Sequence, residues 1–232
     1  MKTRLDLMSV IAMSLTLIAF AAAHGAAAEA FEQEAMVDKA RLTFEAFIND
    51  PNMPWLRDNI KDAKGLLIFP QVLKGAFFVG GSGGSGVLVV RDEKTGQWSQ
   101  PAFYTIGSAS FGLQFGAQAS EVVLMVTTSK GVESLYNSSV KLGADAAVAA
   151  GPVGARAEGA VPINFSATYV SFARSKGAFL GISLDGSVIS VRDSWNREYY
   201  GKPVRPINII VEQSVSNPQS AGLRDALAKA SK

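Results

Sequence analysis

The sequence contains no cysteine and only one histidine, His24, among its 232 residues. Without cysteine the fold can form neither a disulfide nor a thiolate nucleophile, and no N-terminal cysteine can carry a lipid anchor. Ser–His–Asp and Cys–His catalysis also require a histidine in the folded domain, and His24 lies in the N-terminal leader described next. We therefore predict that the protein is not an enzyme, with no catalytic residue, metal site or cofactor.

The first thirty residues have the parts of a secretory signal peptide. Two basic residues precede an apolar stretch, Leu7–Ala23, and small residues then form two A-x-A arrangements. We predict a Sec-type signal peptide over residues 1–28, with cleavage after Ala28 or Ala30. The protein would then be periplasmic or secreted, and able to associate with membranes. The alternative is an uncleaved membrane anchor, because the apolar stretch approaches the length of about 18 residues that a spanning helix needs.

The charges of the chain are nearly balanced, with 22 Lys and Arg residues against 20 Asp and Glu residues. Proteins that bind nucleic acid usually carry a basic patch or stripe that neutralises phosphates. We therefore predict no nucleic-acid partner. An anionic partner would have to meet a local cluster of lysine and arginine side chains.

Apolar periodicity predicts an α+β fold with a single domain over residues 31–211. An amphipathic N-terminal helix over Phe31–Asp50 and a second helix from Pro54 precede many short strands, which form a mostly antiparallel β-sheet with a few short helices. The strand candidates are Gly65–Phe69, Ala76–Val79, Val87–Val90, Ala102–Ile106, Glu121–Thr127, Ala178–Leu184, Ser187–Val191 and Ile207–Val211. Residues 212–232 are predicted to be a C-terminal tail with a short helix over Leu223–Ala230.

Two glycine-containing segments are interpreted as connections between strands. Gly81–Gly86 fits the G-x-G-x-x-G pattern of dinucleotide-binding proteins. It precedes the apolar strand candidate Val87–Val90, however, instead of the helix whose N-terminus would hold a pyrophosphate. We therefore interpret it as a flexible loop and predict no bound nucleotide. Asp185-Gly186 lies between two apolar runs and predicts a two-residue hairpin.

The first helix admits two interpretations. Its apolar residues recur at spacings of three and four, which is typical of a helix packed on a sheet. The same pattern occurs in helices that lie on a membrane surface. The candidate membrane-contacting residues are Phe31, Val37, Phe44, Phe47 and Ile48.

The segment Lys141–Gly154 consists almost wholly of glycine and alanine, with Asp145 as its only acid. Such residues provide no nucleophile or general base, but glycine allows close backbone approach and unusual dihedral angles. We interpret the segment as a backbone device that positions Lys141 and Arg156. Asp145 is predicted to be either a buried, paired acid or the cap of a turn.

Cations beside glycine or at strand ends are the most promising binding residues. In Arg174-Ser175-Lys176-Gly177, two cations, a hydroxyl group and a glycine resemble a clasp for phosphate. Such cations attract anionic headgroups by about 1 kcal/mol each near a membrane. The candidate lipid-binding residues are Lys74, Arg91, Lys130, Lys141, Arg156, Arg174 and Lys176.

Several short blocks of the sequence, taken together and in order, form a specific pattern. They are Lys64–Pro70 with Lys74-Gly75, Gly84–Asp92, Gly96–Ala102, Ser110–Gln118, Lys141–Gly154, Ser171–Gly186 and Tyr199-Tyr200-Gly201. In this order they resemble the SYLF domain family, a lipid-binding module, over roughly Ala30 to Gly201. The resemblance implies lipid binding. Eukaryotic relatives bind phosphoinositides, use an amphipathic N-terminal helix on membranes and in some cases bind actin filaments, and bacterial relatives are commonly exported.

We therefore predict an exported, non-enzymatic lipid-binding protein of the bacterial cell envelope. It would bind anionic phospholipid headgroups at a membrane surface through clustered Lys and Arg residues next to glycine-rich turns. The alternative is an envelope protein–protein interaction or scaffold module without a specific lipid, whose partner is an envelope protein. A more remote alternative is a hydrolase that uses carboxylates.

Overall fold

A nine-stranded sheet forms the centre of the fold within the residues that the structure describes. The computed structural model describes residues 31–76, 79–111, 116–152, 167–175, 178–180 and 184–232. The strands are β1 (Gly65–Ala76), β2 (Val79–Val90), β3 (Ala102–Phe111), β4 (Gly116–Val126), β5 (Ser139–Lys141), β6 (Val148–Ala150), β7 (Tyr169–Ser175), β8 (Ala178–Leu180) and β9 (Val188–Val191). The helices are α1 (31–48), α2 (Pro54–Asn59), α3 (Ser129–Ser134), α4 (Asp193–Tyr200), α5 (Pro206–Ile210) and α6 (Ala221–Ala230), with 3-10 turns at Ile60–Asp62 and Pro218–Ser220.

The sheet is almost entirely antiparallel. Its strands follow the order β5-β9-β3-β2-β1-β4-β7-β6, and β8 pairs with β7. Strands β6 and β7 run parallel, whereas the other pairs among the described residues are antiparallel. The predicted α+β class and mostly antiparallel sheet are therefore confirmed.

Strands β1 and β2 are longer than the apolar pattern predicts, because a bulge interrupts β1 without ending it. Each strand has 12 residues. The register of β1 shifts between Ile68 and Gln71 against β2, and between Phe69 and Val72 against β4. Such a bulge inserts an extra residue and breaks the alternation of apolar side chains. The two strands therefore look like several shorter pieces in the sequence.

The glycine-rich run Gly81–Gly86 is part of β2, so its interpretation as a flexible loop is wrong. Gly84 and Gly86 lie beside the bulge of β1. A Cβ atom on either would lie 2.2 Å from a carbonyl oxygen, that of Gln71 or that of Ile68 respectively. Only glycine permits two backbones to approach so closely. The pairing of β2 with the bulged strand therefore explains these glycines.

The two faces of the sheet build two hydrophobic cores, because side chains of paired residues point to the same face. Helices α1, α2, α4 and α6 contribute to the core on the front face. Its sheet residues are Leu66, Ile68, Val87, Val89, Phe103, Val123, Met125, Val170 and Phe172. Helices α3 and α5 contribute to the core on the back face. Its sheet residues include Leu67, Leu88, Tyr104, Leu124, Tyr169 and Ile189.

The predicted helices at the two ends of the described chain are confirmed, and both pack on the front face. α1 buries one side, and its spacing of three and four residues is the one that the sequence predicts. The buried apolar residues of α1 are Val37, Ala40, Phe44, Phe47 and Ile48. α6 contributes Leu223 and Leu227 to the same core. The C-terminal residues therefore take part in the packing of the sheet.

Residues 207–211 belong to α5 and its C-cap, so the predicted last strand is wrong. Pro206 occupies the first turn of the helix, where its missing N–H removes no helical hydrogen bond. At the same end, Asn208 Oδ1 accepts a hydrogen bond from the backbone N–H of Arg205 at 2.9 Å. A run of five residues, four of them apolar, cannot by itself distinguish a short helix from a strand. Here the capping residues decide in favour of the helix.

The turn at Asp185-Gly186 does not close a hairpin, so that prediction is wrong. Gly186 has a φ of +80°, as a tight turn often requires. The strand after the turn, β9, pairs with β3 and β5, whereas β8 pairs with β7. The local signal therefore predicts the turn correctly, but it does not determine which strands pair.

Candidate functional site

The predicted lipid-binding cations do not form one cluster. Arg91 follows β2 and Lys130 lies in α3, which follows β4; we call this end of the sheet the proximal end. Lys74 and Arg174 lie near the last residues of β1 and β7, at the opposite or distal end. Lys141 is the last residue of the short strand β5. Two further candidates lie outside the described residues: Arg156 and Lys176.

Arg174 is engaged within the protein. Its Nε donates to Glu121 Oε2, in an ion pair whose side chains are 25% and 28% exposed. Its guanidinium carbon lies 5.7 Å from the centre of the Phe47 ring. The hydrogen bond to Glu121 raises the pKa of the Arg174 guanidinium. Because its charge is already balanced by a carboxylate, Arg174 is a weak element of the predicted phosphate clasp.

Arg91 at the proximal end and its neighbour Lys64 are also held by internal contacts. Arg91 Nη1 donates to the carbonyl oxygen of Lys61. Nearby, Lys64 Nζ lies 3.0 Å from Glu93 Oε1, which also accepts a hydrogen bond from Ser129 Oγ at 2.7 Å. The Ser129 hydrogen bond and then Lys64 lower the pKa of the Glu93 carboxyl. The Glu93 carboxylate therefore balances the charge of Lys64 at short range.

The glycine- and alanine-rich segment after β5 is organised by its backbone. Asp145 Oδ2 accepts a hydrogen bond from the N–H of Lys141 at 2.7 Å, and both side chains are exposed. Of the two roles predicted for Asp145, the structure shows the turn cap. Further along, Gly151 is buried, and a Cβ atom there would lie 2.2 Å from the ring of Phe172. Both contacts fold the segment onto the sheet.

Helix α1 does not present most of its predicted membrane-contacting residues to solvent. Val37, Phe44, Phe47 and Ile48 are buried in the front core, and Phe31 is the one exposed candidate, at 71%. Of the two interpretations of this helix, the structure shows the packed one. A membrane-contacting role for the four buried residues would require α1 to leave the sheet.

Part of the front face forms an exposed row that crosses the sheet from β5 to β4. The members of this row, in order, are Lys141, Val188, Gly107, Gly83, Leu73 and Ala119. Each is exposed or half-buried. A row across six strands spans roughly 24 Å, at about 4.8 Å between neighbouring strands. We call these six residues the open face.

The open face is flat and weakly apolar. Leu73 is 55% exposed and Val188 is 38% exposed, while glycine or alanine occupies three of the other positions. Small side chains leave the surface level with the sheet backbone. The row contains one cation, Lys141, and no acid. It is therefore suited to contact with another flat surface.

A groove of about 520 Å³ separates α1 from the β1 and β4 side of the open face. Lys39 and Leu42 of α1 face Gln71 and Ala119 across it. Leu42 is 54% exposed. Lys39 forms no ion pair with any residue that the structure describes. The groove thus adds an exposed apolar side chain, an unpaired cation and the ion pair of Glu121 with Arg174 to the edge of the open face.

Other cavities lie away from the open face. One groove of about 510 Å³ is lined by the connection between β2 and β3, including Gln97 and Gln100, and by Val211 after α5. A smaller pocket of about 200 Å³ lies between α4 and α5. Over the described ranges, no group of three or more acidic, histidine or cysteine residues is placed to hold a metal. No helix in those ranges combines the length and apolarity that a membrane span requires.

Comparison with known sequences assigns the chain to a protein family. Residues 107–230 match the family described as "Ysc84: Las17-binding protein actin regulator", which is more than half of the chain. The chain belongs to the Ysc84, or SYLF, family. The predicted family is therefore confirmed. The match runs from β3 to α6 and includes four of the open-face positions, among them Val188 and Lys141.

The SYLF chain is also similar to longer eukaryotic proteins. It is 33% identical over 169 residues to SH3 domain-containing YSC84-like protein 1 of Homo sapiens, covering 72% of this chain and 49% of that protein. It is 37% identical over 147 residues to LAS seventeen-binding protein 3 of Saccharomyces cerevisiae, covering 62% of this chain and 32% of that protein. The chain thus spans about half or less of the length of these relatives.

Proposed function

We propose that this SYLF protein is an exported, non-enzymatic protein of a bacterial cell envelope that binds membranes containing anionic phospholipid. The open face, together with Lys39 and Leu42 at its edge, is its docking surface. One observation carries the proposal: exposed Leu42 and the unpaired Lys39 line a groove beside Ala119, the strand neighbour of exposed Leu73, and the acid of that groove, Glu121, is ion-paired with Arg174. Exposed apolar side chains flanked by cations are typical of surfaces that rest on anionic membranes.

The contacts available on this surface support weak, reversible binding. Full burial of a leucine contributes roughly 1.5–3 kcal/mol, so the exposed halves of Leu42 and Leu73 would contribute roughly 1 kcal/mol each. Lys39 and Lys141 would add about 1 kcal/mol each near an anionic surface. The sum of about 4 kcal/mol corresponds to a dissociation constant on the order of 1 mM. Binding should therefore require anionic lipid and weaken as salt screens the lysines.

Two features of the sequence support the cellular part of the proposal. The basic, apolar and small-residue regions of the first thirty residues have the order of a secretory leader. The chain after this leader has neither histidine nor cysteine, which are the side chains most often used in nucleophilic catalysis. An exported binding protein is consistent with both features.

Vesicle co-sedimentation tests the docking surface. The protein is mixed with neutral phosphatidylcholine vesicles, or with vesicles that also contain phosphatidylglycerol. We expect recovery with the anionic vesicles only, and roughly 30-fold weaker binding after Leu42→Ser with Leu73→Ser, because the two side chains together contribute roughly 2 kcal/mol and about 1.4 kcal/mol changes a binding constant tenfold. The matched control is Ile207→Ser with Val211→Ser, which removes another exposed apolar pair, 44% and 56% exposed, from the α5 side.

Two results would contradict the proposal. Equal recovery with neutral and anionic vesicles would remove the role of anionic lipid. A loss of binding in the α5 control pair, with the Leu42 and Leu73 pair unchanged, would move the docking surface away from the open face.

A protein partner at the open face is the second candidate. The family description as Las17-binding names a protein as the ligand of family members, which favours this alternative. Affinity capture from a periplasmic extract tests it. Recovery of one stoichiometric partner by the parent protein, but not by the Leu42→Ser, Leu73→Ser variant, together with no vesicle binding, would select the protein partner.

A further inference from the structure

A pocket of about 200 Å³ lies between α4 and α5, and it shares no lining residue with the α1 groove. Two arginines line it, together with an acid and residues of the connection that follows α4. The lining residues are Asp193, Arg197, Pro203, Val204, Arg205 and Asn208. Arg197 lies in the last turn of α4, and Arg205 is the N-cap residue of α5. The pocket is therefore built where one helix ends and the next begins.

The chain between the helices brings the two arginines together. Gly201 caps α4 with a φ of +69°, in the left-handed region that glycine adopts at little cost. Val204 is buried in the back core and anchors the connection. The N–H of Arg205 donates to Asn208 Oδ1 at 2.9 Å, and Asn208 Nδ2 donates to Glu212 Oε2 at 2.9 Å. The Asn208 amide is thus occupied in holding the start of α5.

The two arginines have no acidic partner within the part of the chain that the structure describes. No ion pair of up to 4.0 Å involves Arg197, Arg205 or Asp193. All three side chains are exposed at the mouth of the pocket. Among the lining residues two guanidinium groups stand against one carboxylate, while the neighbouring Glu212 carboxylate already accepts a hydrogen bond from Asn208 Nδ2.

We propose that this pocket binds a phosphate group, held by Arg197 and Arg205. The planar guanidinium group presents parallel N–H donors that match two oxygens of a phosphate, and two such groups can grip one phosphate from different sides. Asp193 opposes the anion and limits its affinity. The ligand is a phosphate ester, and its source is either a lipid headgroup or a soluble phosphate ester. This site goes beyond the membrane docking of the open face and does not depend on it.

Isothermal titration calorimetry tests the site. The purified protein is titrated with inorganic phosphate and with glycerol 3-phosphate, at pH 7.5 and low salt. We expect binding of both, with about tenfold or greater loss of affinity after Arg197→Gln or Arg205→Gln, because each substitution removes charge-assisted hydrogen bonds to the phosphate. Asp193→Asn should change the affinity in the opposite direction, strengthening it several-fold. Acetate should bind much more weakly, since it carries a single charge and two oxygens, whereas phosphate is mostly doubly charged at this pH and can present oxygens to both guanidinium groups.

The matched control removes the same charge elsewhere. Lys61→Gln with Lys229→Gln takes two exposed cations from the 3-10 turn after α2 and from α6. It should leave phosphate affinity unchanged. Circular dichroism and the unfolding midpoint of each variant establish that the fold is retained. If an arginine variant unfolds, the Asp193→Asn variant still tests the site, because its predicted effect is a gain.

Vesicles distinguish the two sources of phosphate. Weaker binding of the Arg197→Gln, Arg205→Gln protein to phosphatidic acid vesicles would assign the site to lipid headgroups. Unchanged vesicle binding, together with lost glycerol 3-phosphate binding, would assign it to soluble esters. The phosphate site would be refuted by any of three results: no phosphate binding, equal binding of acetate, or arginine variants that bind as the parent does.

The same measurements separate this inference from the docking surface. The Leu42→Ser, Leu73→Ser variant should bind glycerol 3-phosphate with unchanged affinity. If that variant no longer binds vesicles while the arginine variants keep the phosphate affinity of the parent, the docking surface is supported and the phosphate site is refuted. If the parent protein binds no vesicles but its phosphate affinity depends on both arginines, the phosphate site is supported and the docking surface is refuted.

Discussion

Replacement of Gly151 by alanine should destabilise the fold through one identifiable contact. A Cβ atom at this position would lie 2.2, 2.4 and 2.6 Å from three atoms of the Phe172 ring. Phe172 is fully buried and its ring lies 5.8 Å from that of Trp55, so it has little room to retreat. Gly151 is itself tied to the sheet by its N–H, which donates to the carbonyl oxygen of Ser171 at 2.8 Å. Either the ring or the backbone must move.

The size of this effect follows from the cost of overpacking a core, which is typically about 1–3 kcal/mol. In a domain of this length, each kcal/mol lowers the melting temperature by about 2–4 °C. We therefore expect Gly151→Ala to lower the melting temperature by roughly 2–12 °C, and Gly151→Val to lower it further. Thermal and urea unfolding, followed by circular dichroism, measure both changes.

A second glycine gives a matched control. Gly83 lies in β2, and a Cβ atom there would meet only the carbonyl oxygen of Ile106, at an ordinary distance of 3.8 Å. Gly83→Ala should be neutral or stabilise by up to about 1 kcal/mol, because alanine has less backbone entropy to lose on folding. Phe172→Leu should partly rescue Gly151→Ala by making room. Equal destabilisation by the two glycine substitutions would refute the contact-based reasoning.

Three further predictions concern local electrostatics and capping. Glu121→Ala removes the acceptor of the half-buried Arg174 and should lower the free energy of unfolding by about 1–3 kcal/mol in urea titration; an unchanged midpoint would contradict this. The lowered pKa of Glu93 means that its ionised form stabilises the fold above the unfolded-state pKa of about 4.3, and that this contribution is lost as pH falls through the folded-state pKa. Ser129→Ala should raise the Glu93 pKa in an NMR titration, and the same pKa in both proteins would argue against the hydrogen bond. Thr128→Ala removes the side-chain cap of α3 and should cost about 1 kcal/mol in chemical denaturation, whereas a loss below the error of the measurement would show that the cap contributes little.

Local patterns were sufficient to predict the elements whose signals are local. The spacing of Val37, Ala40, Phe44 and Phe47 predicts α1 and its buried side, and the structure has both. The terminal helix over Leu223–Ala230 is found within one turn of its predicted start. These elements could be predicted because the residues that determine them lie close together in the chain.

The errors come from contacts between distant segments. Nothing near Gly84 shows that the bulge at Gln71 will press against it, so the glycine-rich run looks like a loop. Asp185-Gly186 predicts a turn, but strand pairing depends on burial across the whole sheet. In the five residues from Ile207, four of them apolar, neither period can be established, and the capping residues decide.

The candidate site shows the same limit. Arg174 was predicted to be an accessible cation, but its partner, Glu121, is 53 positions away in the chain. Leu73 looks like a core residue beside Val72, because both are apolar. Which of the two is exposed depends on where the helices of the front face end. The charge of a side chain can be read from the sequence, whereas its partner and its exposure cannot.

The central claim is that Leu73 contacts the membrane when the protein binds. Because the chain has no native cysteine, Leu73→Cys can be labelled at this one position with an environment-sensitive fluorophore such as NBD. Ile207→Cys, at an exposed residue on the α5 side, serves as the control. On addition of phosphatidylglycerol vesicles, the account predicts a blue shift and increased emission from the label at position 73, with no change from the label at 207. A response at position 207 alone, or at neither position while the protein co-sediments with the vesicles, would contradict it.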